Sequence, residues 1–168
     1  MTDDLRWISR LHNVVDELAA TVAAFHSLTC KRGCAGCCSD GLTVFEIEAA
    51  RIRDRHAALL ENFEPHESGC AFLDEAGGCR VYEVRPYVCR TQGLPLRWLE
   101  EDNGEAFEAR DVCALNLDGI DLAALAVEAM WTIGPIEERL ATRGSARVEL
   151  RSLFSHSIPA KRRLPVVR

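Results

Sequence analysis

Eight cysteines, and the way they are spaced, constrain this chain more than any other feature of its sequence. Half of them fall within one stretch of nine residues, in the order Cys30-x3-Cys34-x2-Cys37-Cys38. The others follow singly, at Cys70, Cys79, Cys89 and Cys113. Glycines at positions 33, 36 and 41 disfavour a helix through the first stretch, so we predict a loop there. Such a loop can curl its backbone round a ligand and bring several thiols towards one point.

The rest of the sequence favours reduced cysteines over disulfides. A chain of 168 residues, 48% of them hydrophobic, can bury a core and does not need disulfides to compensate for a small one. The start, Met1 to Trp7, is acidic and lacks a basic segment followed by an apolar run, so we expect no signal peptide. No stretch approaches the roughly 18 apolar residues that a membrane span needs. We therefore expect a cytoplasmic protein without membrane contact, whose thiols stay reduced.

Reduced thiols at short spacing are soft ligands, which suit zinc, copper(I) or an iron–sulfur cluster better than magnesium or calcium. The adjacent pair Cys37-Cys38 is unusual, because neighbouring side chains diverge and seldom bind the same ion. One of the two could serve a second site, remain a free thiol or pack as a small hydrophobic side chain. Eight cysteines leave two arrangements open: two four-cysteine sites, or one cluster with four further thiols.

Two known metal-site patterns fit only in part. The spacing Cys30-x3-Cys34-x2-Cys37 matches the cluster loop of radical S-adenosylmethionine enzymes, but those enzymes continue with a barrel-like run of strands and helices. Zinc ribbons pair two C-x2-C units about 15–20 residues apart, and the later cysteines are too widely spaced for the second unit. His26 and His66 are conceivable ligands, but eight thiols complete four-coordination without them.

The sequence pattern predicts a mainly α protein with small β hairpins (α+β), in which an irregular cysteine-rich core packs between helices. Apolar residues at three- and four-residue steps predict an amphipathic helix over residues 3–28. Thr43 and Glu46 form a capping-box pattern for a second helix that ends near Asn62. Turn-forming residues predict one small hairpin across 74–78, and a second across 102–104 between strands at 94–99 and 105–112.

The C-terminal part is predicted to be helical and to end in a tail at 157–168. A long helix is expected from Asp118 through Trp131, with a kink or a new helix at Pro135, and a short helix within 145–156. No linker or internal repeat is visible. We therefore expect residues 1–168 to form a single domain, with a metal-binding core at about 30–113 between the helix at 3–28 and helical elements at 118–156.

Charge is distributed unevenly along the chain. Residues 139–168 hold eight basic residues and one acidic residue, so the segment carries +7 although the whole chain carries −6. A basic segment on an acidic body can contact nucleic acid or another acidic partner. The aromatic interleaving typical of nucleic-acid-binding segments does not accompany these arginines. We expect the segment to lie on its own body or in solvent, although nucleic-acid binding stays open.

Residues 30–113 carry a motif more specific than the cysteine spacing alone. The first loop is followed by Cys70-Ala71-Phe72-Leu73-Asp74 and then by Cys79-Arg80-Val81-Tyr82-Glu83-Val84-Arg85-Pro86-Tyr87-Val88-Cys89-Arg90. In this order the chain resembles the YkgJ-type cysteine-cluster family, described as a zinc- or iron-chelating domain. Cys113 takes the place of that family's last cysteine, and Ala71 stands where the family often has proline.

The resemblance implies that the eight cysteines serve metal binding. Some relatives carry an iron–sulfur cluster, among them flagellin lysine methylases that share this cysteine domain. We therefore prefer an iron–sulfur cluster of the [4Fe–4S] type, with a redox or cluster-dependent role and an unidentified protein or redox partner. The alternative is a zinc-binding structural or chelating module without catalysis. The resemblance does not decide whether the chain is an enzyme.

Three further residues of the motif have two interpretations each. Arg85 and Arg90 could neutralise the charge of a thiolate-ligated cluster or bind an anion beside it. They could equally form structural salt bridges with Glu83 or Asp74. Tyr82 could donate a hydrogen bond to a ligand or a sulfur, or pack as a half-buried side chain.

Overall fold

In the computed structural model, which describes residues 2–30 and 33–154, the chain forms an α+β fold, and the predicted α+β class is confirmed. The α-helices in these residues are α1 (Asp3–Ala23), α2 (Glu46–Asn62), α3 (Tyr87–Thr91) and α4 (Pro135–Ala141). The strands are β1 (Thr43–Phe45), β2 (Leu96–Asp102), β3 (Glu105–Asp111), β4 (Trp131–Thr132) and β5 (Arg147–Glu149). Short 3-10 helices span Tyr82–Val84, Ala114–Asn116, Val127–Ala129 and Leu150–Leu153.

Helix α1 confirms the first predicted helix but ends five residues earlier than predicted. The Thr2 hydroxyl accepts a hydrogen bond from the Leu5 amide at 3.3 Å, which caps the start. One face is buried, formed by Ile8, Leu11, His12, Val15, Ala19 and Val22. Beyond Ala23 the chain turns away, because His26 Nε2 bonds the Ala129 carbonyl at 2.7 Å. Phe25, which lies within the predicted helix but beyond α1, is 60% exposed.

Helix α2 begins three residues later than the sequence pattern predicts, and the predicted Thr43 cap is wrong. Thr43 starts β1, which pairs antiparallel with β5 so that Thr43 lies opposite Glu149. The helix follows directly from this strand, and the Glu48 carboxylate accepts a hydrogen bond from the Phe45 amide at 3.3 Å. A strand partner about 100 residues away cannot be read from local spacing. The predicted end at Asn62 is confirmed.

Both predicted hairpins are present, although they differ in size. β2 and β3 pair from Leu96–Asp111 to Asp102–Glu105, and the turn residues Asn103 and Gly104 have φ of 51° and 84°. Positive φ at both central residues is the geometry of a type I′ hairpin turn. The earlier hairpin is reduced to a single antiparallel bridge between Leu73 and Cys79. β4 joins the other edge of β2 in parallel.

The predicted long helix from Asp118 through Trp131 is wrong. This segment is a series of turns with one 3-10 helix, and it ends in β4. The Arg110 guanidinium donates hydrogen bonds to the carbonyls of Leu122 and Leu125 at 2.6 and 3.0 Å, which an α-helix would use internally. Pro135 does begin a new helix, α4. The predicted helix within 145–156 is β5 followed by a 3-10 helix, and its residues 155–156 lie outside the described part.

Two groups of buried side chains lie on either side of α2. The first joins the buried face of α1 to Tyr87, Leu94, Trp131, Ile136 and Leu140. The second joins α2 to the cysteine segment and to Leu150–Phe154, with Phe72 and Phe154 ring centroids 5.0 Å apart. The predicted tail at 157–168 lies outside the described residues. No helix among the described residues is both long and apolar enough to cross a bilayer.

Candidate metal centre

Seven of the eight cysteines line one cavity of about 230 Å³, which we call the thiol cavity. Its sulfur-bearing lining residues are Cys30, Cys34, Cys37, Cys38, Cys70, Cys79 and Cys89. Cys113 is not part of the lining but lies close enough to Cys30 to affect its pKa. Tyr82, Arg85 and Arg90 also line the cavity. The fold therefore brings three separate chain segments together at the residues that the sequence singled out.

The second cysteine segment is held by the core beneath it. Ala71 and Phe72 are 2% and 1% exposed, so the backbone between Cys70 and Cys79 lies on packed side chains. The turn closing this segment is tied by Asp74, whose Oδ1 accepts hydrogen bonds from the Ala76 and Gly78 amides at 2.9 and 2.7 Å. This turn places Cys79 opposite Leu73, three residues after Cys70.

Gly69 lets the first and second cysteine segments meet. The Cys70 amide donates to the Cys38 carbonyl at 2.9 Å. A Cβ on Gly69 would lie 2.8 Å from that carbonyl oxygen, and the residue has φ of +73°. Any other residue here would both clash and adopt an unfavourable backbone conformation. This glycine was not singled out from the sequence, and only the approach of Cys38 identifies its role.

Cys89 lies on α3, whose start is fixed by a buried polar network. The Tyr87 amide donates to Glu48 Oε1 at 2.6 Å, and His12 Nε2 donates to the same oxygen at 3.1 Å. His12 and Glu48 are almost fully buried, at 0% and 2% exposure. The sequence carries no signal for this role of His12. The structure shows that it positions Glu48, which in turn positions the helix that carries Cys89.

Asn116 positions Cys30, and no sequence signal identified it. Its Nδ2 donates to Cys30 Sγ at 3.2 Å and to the Gly93 carbonyl at 2.7 Å. Its Oδ1 accepts from the Thr29 amide at 2.8 Å. A Cβ on Gly93 would lie only 2.6 Å from Cys30 Sγ, so this position requires glycine. The 3-10 helix that carries Asn116 begins directly after Cys113, which links that cysteine to Cys30.

Electrostatic interactions divide the thiols into two neighbourhoods. Burial raises the pKa of Cys30, and the thiols of Cys34, Cys113 and Cys37 raise it further. Burial raises the pKa of Cys89 to about 12, and Cys70 and Cys79 act in the same direction. Cys38 also interacts with Cys70 and Cys89. One neighbourhood therefore surrounds Cys30 and the other surrounds Cys89, with the Cys37-Cys38 pair between them.

The adjacent cysteines 37 and 38 are coupled to each other by a hydrogen bond. The Cys38 thiol donates to the sulfur of Cys37, which lowers the pKa of Cys37 to about 6. The same bond, together with burial, raises the pKa of Cys38 well above its usual range. Without a metal, the more exposed Cys37 is thus the thiolate of the pair at neutral pH.

The two arginines of the motif pair with α1 and not with the acidic residues expected from the sequence. Arg90 bonds Asp16, and Arg85 lies 3.5 Å from the same carboxylate. Arg90 also donates to the backbone carbonyls of Arg85 and Glu83, at 2.8 and 3.2 Å, but not to the Glu83 carboxylate. The Arg85 guanidinium stacks 4.2 Å from the centre of the Tyr82 ring. The predicted partners Glu83 and Asp74 are therefore wrong.

The chemistry of this donor set fits a soft metal or a cluster. Among the described residues that line the thiol cavity, the metal-binding side chains are thiols, and His26 and His66 instead bond the carbonyls of Ala129 and Ser68. Within the described residues, no three Cys, His, Asp or Glu side chains converge into a closed ligand group for one ion. The fold thus collects the thiols around one cavity, and binding would draw them onto the metal.

A family model described as “Putative zinc- or iron-chelating domain” matches residues 29–114, a range that includes all eight cysteines and just over half of the chain. The chain belongs to this family. It is the YkgJ-type cysteine-cluster family predicted from the sequence, so that prediction is confirmed. The family description supports metal binding by the cysteines and names zinc and iron alike. No curated protein and no solved structure matches this YkgJ-type chain significantly.

Proposed function

We propose that this YkgJ-type protein binds an iron–sulfur cluster of the [4Fe–4S] type through cysteine thiolates and has a redox or cluster-dependent role. The observation that carries the proposal is the set of seven thiols around one cavity. A single zinc ion needs four sulfurs about 2.3 Å from one point, which leaves no space between them. A cavity of about 230 Å³ suits a larger cofactor. When bound, such a cluster supplies one-electron transfer.

The residues proposed to hold the cluster are those around Cys89, namely Cys38, Cys70, Cys79 and Cys89. Cys70, Cys79 and Cys89 come from the part of the chain that packed side chains and the Asp74 turn hold in place. Cys38 joins them at the end of the first loop, where its carbonyl accepts a hydrogen bond from the Cys70 amide at 2.9 Å. Burial raises the pKa values of Cys70, Cys79 and Cys89, and neighbouring thiols act in the same direction on Cys79 and Cys89. These thiols therefore hold their protons until a metal replaces them, and binding should release protons. We further propose that the protein acts in the reducing cytoplasm, where these thiols stay available.

Arg85 and Arg90 are proposed to offset the negative charge that thiolate ligation brings. Both line the thiol cavity and both are fixed, Arg90 by Asp16 and two backbone carbonyls and Arg85 by Asp16 and the Tyr82 ring. Fixed positive charge beside a cluster raises its reduction potential, because it favours the more negative reduced form. An external redox protein would then exchange electrons with the centre.

Zinc is the second candidate, favoured by the division of the thiols into two neighbourhoods. Four cysteines could serve each one, with Cys30, Cys34, Cys37 and Cys113 forming the other set. Four thiolates are a complete ligand set for structural zinc. In that case the adjacent Cys37 and Cys38 would bind different ions, which agrees with the divergence of neighbouring side chains. The protein would then be a structural or chelating module without chemistry of its own.

Metal and acid-labile sulfide analysis after anaerobic purification tests the two candidates. About four irons and four sulfides per chain, with absorbance near 400 nm that bleaches on reduction, would support the cluster. Two zinc ions per chain without sulfide would contradict the cluster and support the zinc-binding module.

A matched pair of variants tests which thiols hold the cluster. Cys89→Ser should abolish iron and sulfide, whereas Cys113→Ser, from the other neighbourhood, should retain both. Equal loss in both variants would overturn the assignment to the thiols around Cys89. Full iron content in Cys89→Ser would do the same.

A further inference from the structure

A second cavity, of about 530 Å³, adjoins the thiol cavity; we call it the arginine cavity. Cys79, Tyr82 and Arg90 belong to the lining of both cavities. The charged residues in its wall are Arg51, Arg55, Arg80, Arg90, Asp16 and Glu83. These come from α1, α2 and the segment between Cys79 and Arg90, so the cavity is a product of the tertiary fold.

The arginine cavity is positively charged on an otherwise acidic protein. Its wall holds four arginines and two acidic residues, whereas the whole chain carries a net charge of −6. Asp16 is already paired with Arg90 and with Arg85, which belongs to the thiol cavity. With Glu83 as the other carboxylate of the wall, the cavity keeps an excess of positive charge. A concave wall of one sign concentrates ions of the opposite sign.

Arg51 and Arg55 have no carboxylate partner within ion-pair distance among the described residues. Arg51 donates instead to Nδ1 of His12, a ring nitrogen that accepts because the other ring nitrogen donates to Glu48. Burial lowers the pKa of His12, so this imidazole stays neutral and offers Arg51 no charge. Burial also lowers the pKa of Arg51, and the positive charges of Arg90 and Arg55 act in the same direction, against the carboxylates of Asp16 and Glu48. The arginines are thus held close together at an electrostatic cost.

The metal centre does not account for this arrangement. Arg51 and Arg55 do not line the thiol cavity, and neither is bonded to a cysteine. Arg80 packs its guanidinium 5.6 Å from the centre of the Phe63 ring and donates weakly to the Glu64 carbonyl. Guanidinium groups that outnumber the carboxylates, around a cavity with room for a small molecule, match the way proteins recognise phosphate and carboxylate groups.

We propose that the arginine cavity is a binding site for a small dianionic molecule, with a phosphate group as the simplest ligand of this class. Arg51 and Arg55 supply the hydrogen bonds, and Arg80 and Arg90 add positive charge. The bound molecule would lie against Cys79 and Tyr82, next to the thiol cavity. This places it as a substrate or an effector of the metal centre, whichever metal the cysteines hold.

Titration calorimetry with inorganic phosphate, at constant ionic strength set with sodium chloride, tests the proposal on the protein as purified. Wild type should bind phosphate saturably with one site per chain. Arg55→Gln and Arg51→Gln should each weaken binding about tenfold or more, because each removes a charge-assisted hydrogen bond. Metal content per chain, measured on the same samples, should be equal in wild type and variants.

Arg53→Gln is the matched control. Arg53 lies on the same helix, is exposed, and pairs with Glu46 away from the cavity, so the substitution removes the same charge. Its phosphate affinity should stay within about twofold of wild type. Equal weakening in all three variants would show a nonspecific charge effect and overturn the site. Absence of saturable binding in folded wild type would overturn it as well. Arg55 is exposed and forms no ion pair with the residues that the structure describes, so its variant keeps the test informative if Arg51→Gln fails to fold.

Discussion

The two main walls of the thiol cavity are built in different ways. The segment from Cys70 to Thr91 lies on buried side chains, and hydrogen bonds within it tie its turns, such as Asp74 to Gly78 and Arg80 to Phe72. The described residues of the loop from Cys30 to Cys38 pack little: Gly33 and Cys37 are exposed, and the backbone bond among them runs from Cys38 to Ala35. Asn116 and Gly93 hold only its first cysteine.

This difference indicates that the two walls contribute to metal binding in different ways. The packed wall keeps Cys70, Cys79 and Cys89 in position before any metal binds, so little entropy is lost there on binding. The loop can move its thiols towards the metal, because few contacts hold it. Metal binding should therefore order the loop, while the packed wall depends on the hydrophobic core.

The largest effect should come from removing the core beneath the packed wall. Phe72→Ala deletes a side chain that is 1% exposed and stacked on Phe154, so the free energy of unfolding should fall by about 3–5 kcal/mol. Urea denaturation followed by circular dichroism measures it. Leu99→Ala, at a side chain 74% exposed, should change stability by no more than about 0.5 kcal/mol. A Phe72→Ala cost as small as that control would mean that the core does not hold this wall.

A smaller, pH-dependent effect should come from the network that positions α3. Burial lowers the pKa of His12 below its ordinary value of 6.5, so the unfolded chain binds a proton more readily than the folded one. The contribution of His12 to the free energy of unfolding is therefore fully present above about pH 6.5. It is lost as the pH falls towards the lowered pKa of His12 in the folded protein.

Unfolding free energies of wild type and His12→Gln, compared between about pH 7.5 and pH 5, measure this contribution. The wild type should lose more stability on acidification than the variant, because glutamine does not titrate. Parallel curves for the two proteins would contradict the neutral, buried imidazole and its role behind the packed wall.

The smallest effect concerns reactivity in the loop and leaves stability unchanged. In metal-free protein the pKa of Cys37 is about 6, since the Cys38 thiol donates to it. Its alkylation by iodoacetamide should rise with pH to a midpoint near that value, because the thiolate is the reactive form. Peptide mass spectrometry measures the modification.

Cys38→Ala should move that midpoint up towards the ordinary thiol value of 9.0. Cys89, with a pKa of about 12 through burial, serves as the internal control and should stay unmodified over the same range. Earlier modification of Cys89 than of Cys37 would contradict the lowered pKa of Cys37 and the burial of Cys89.

Features that depend on neighbouring residues could be predicted from the sequence. The helix α1, the end of α2 at Asn62 and the hairpin turn at Asn103-Gly104 follow from periodicity and turn chemistry, which act within a few residues. The prediction of a helix over 118–131 was wrong although the residue pattern there is compatible with one. Trp131 instead pairs with Leu96 of β2, and the Arg110 guanidinium donates hydrogen bonds to backbone carbonyls of this segment. Tertiary contacts outweigh local propensity there.

By itself the sequence determined the family, the cysteines that line the cavity and the two arginines beside them, because ligand chemistry resides in residue type and short spacing. Only the tertiary structure decided which groups hold those residues in place. Asn116 meets Cys30 across 86 positions, Glu48 meets Tyr87 across 39, and Asp16 meets Arg90 across 74. Such partners depend on how the chain packs, and the arginine cavity arises in the same way, from α1, α2 and the segment after Cys79.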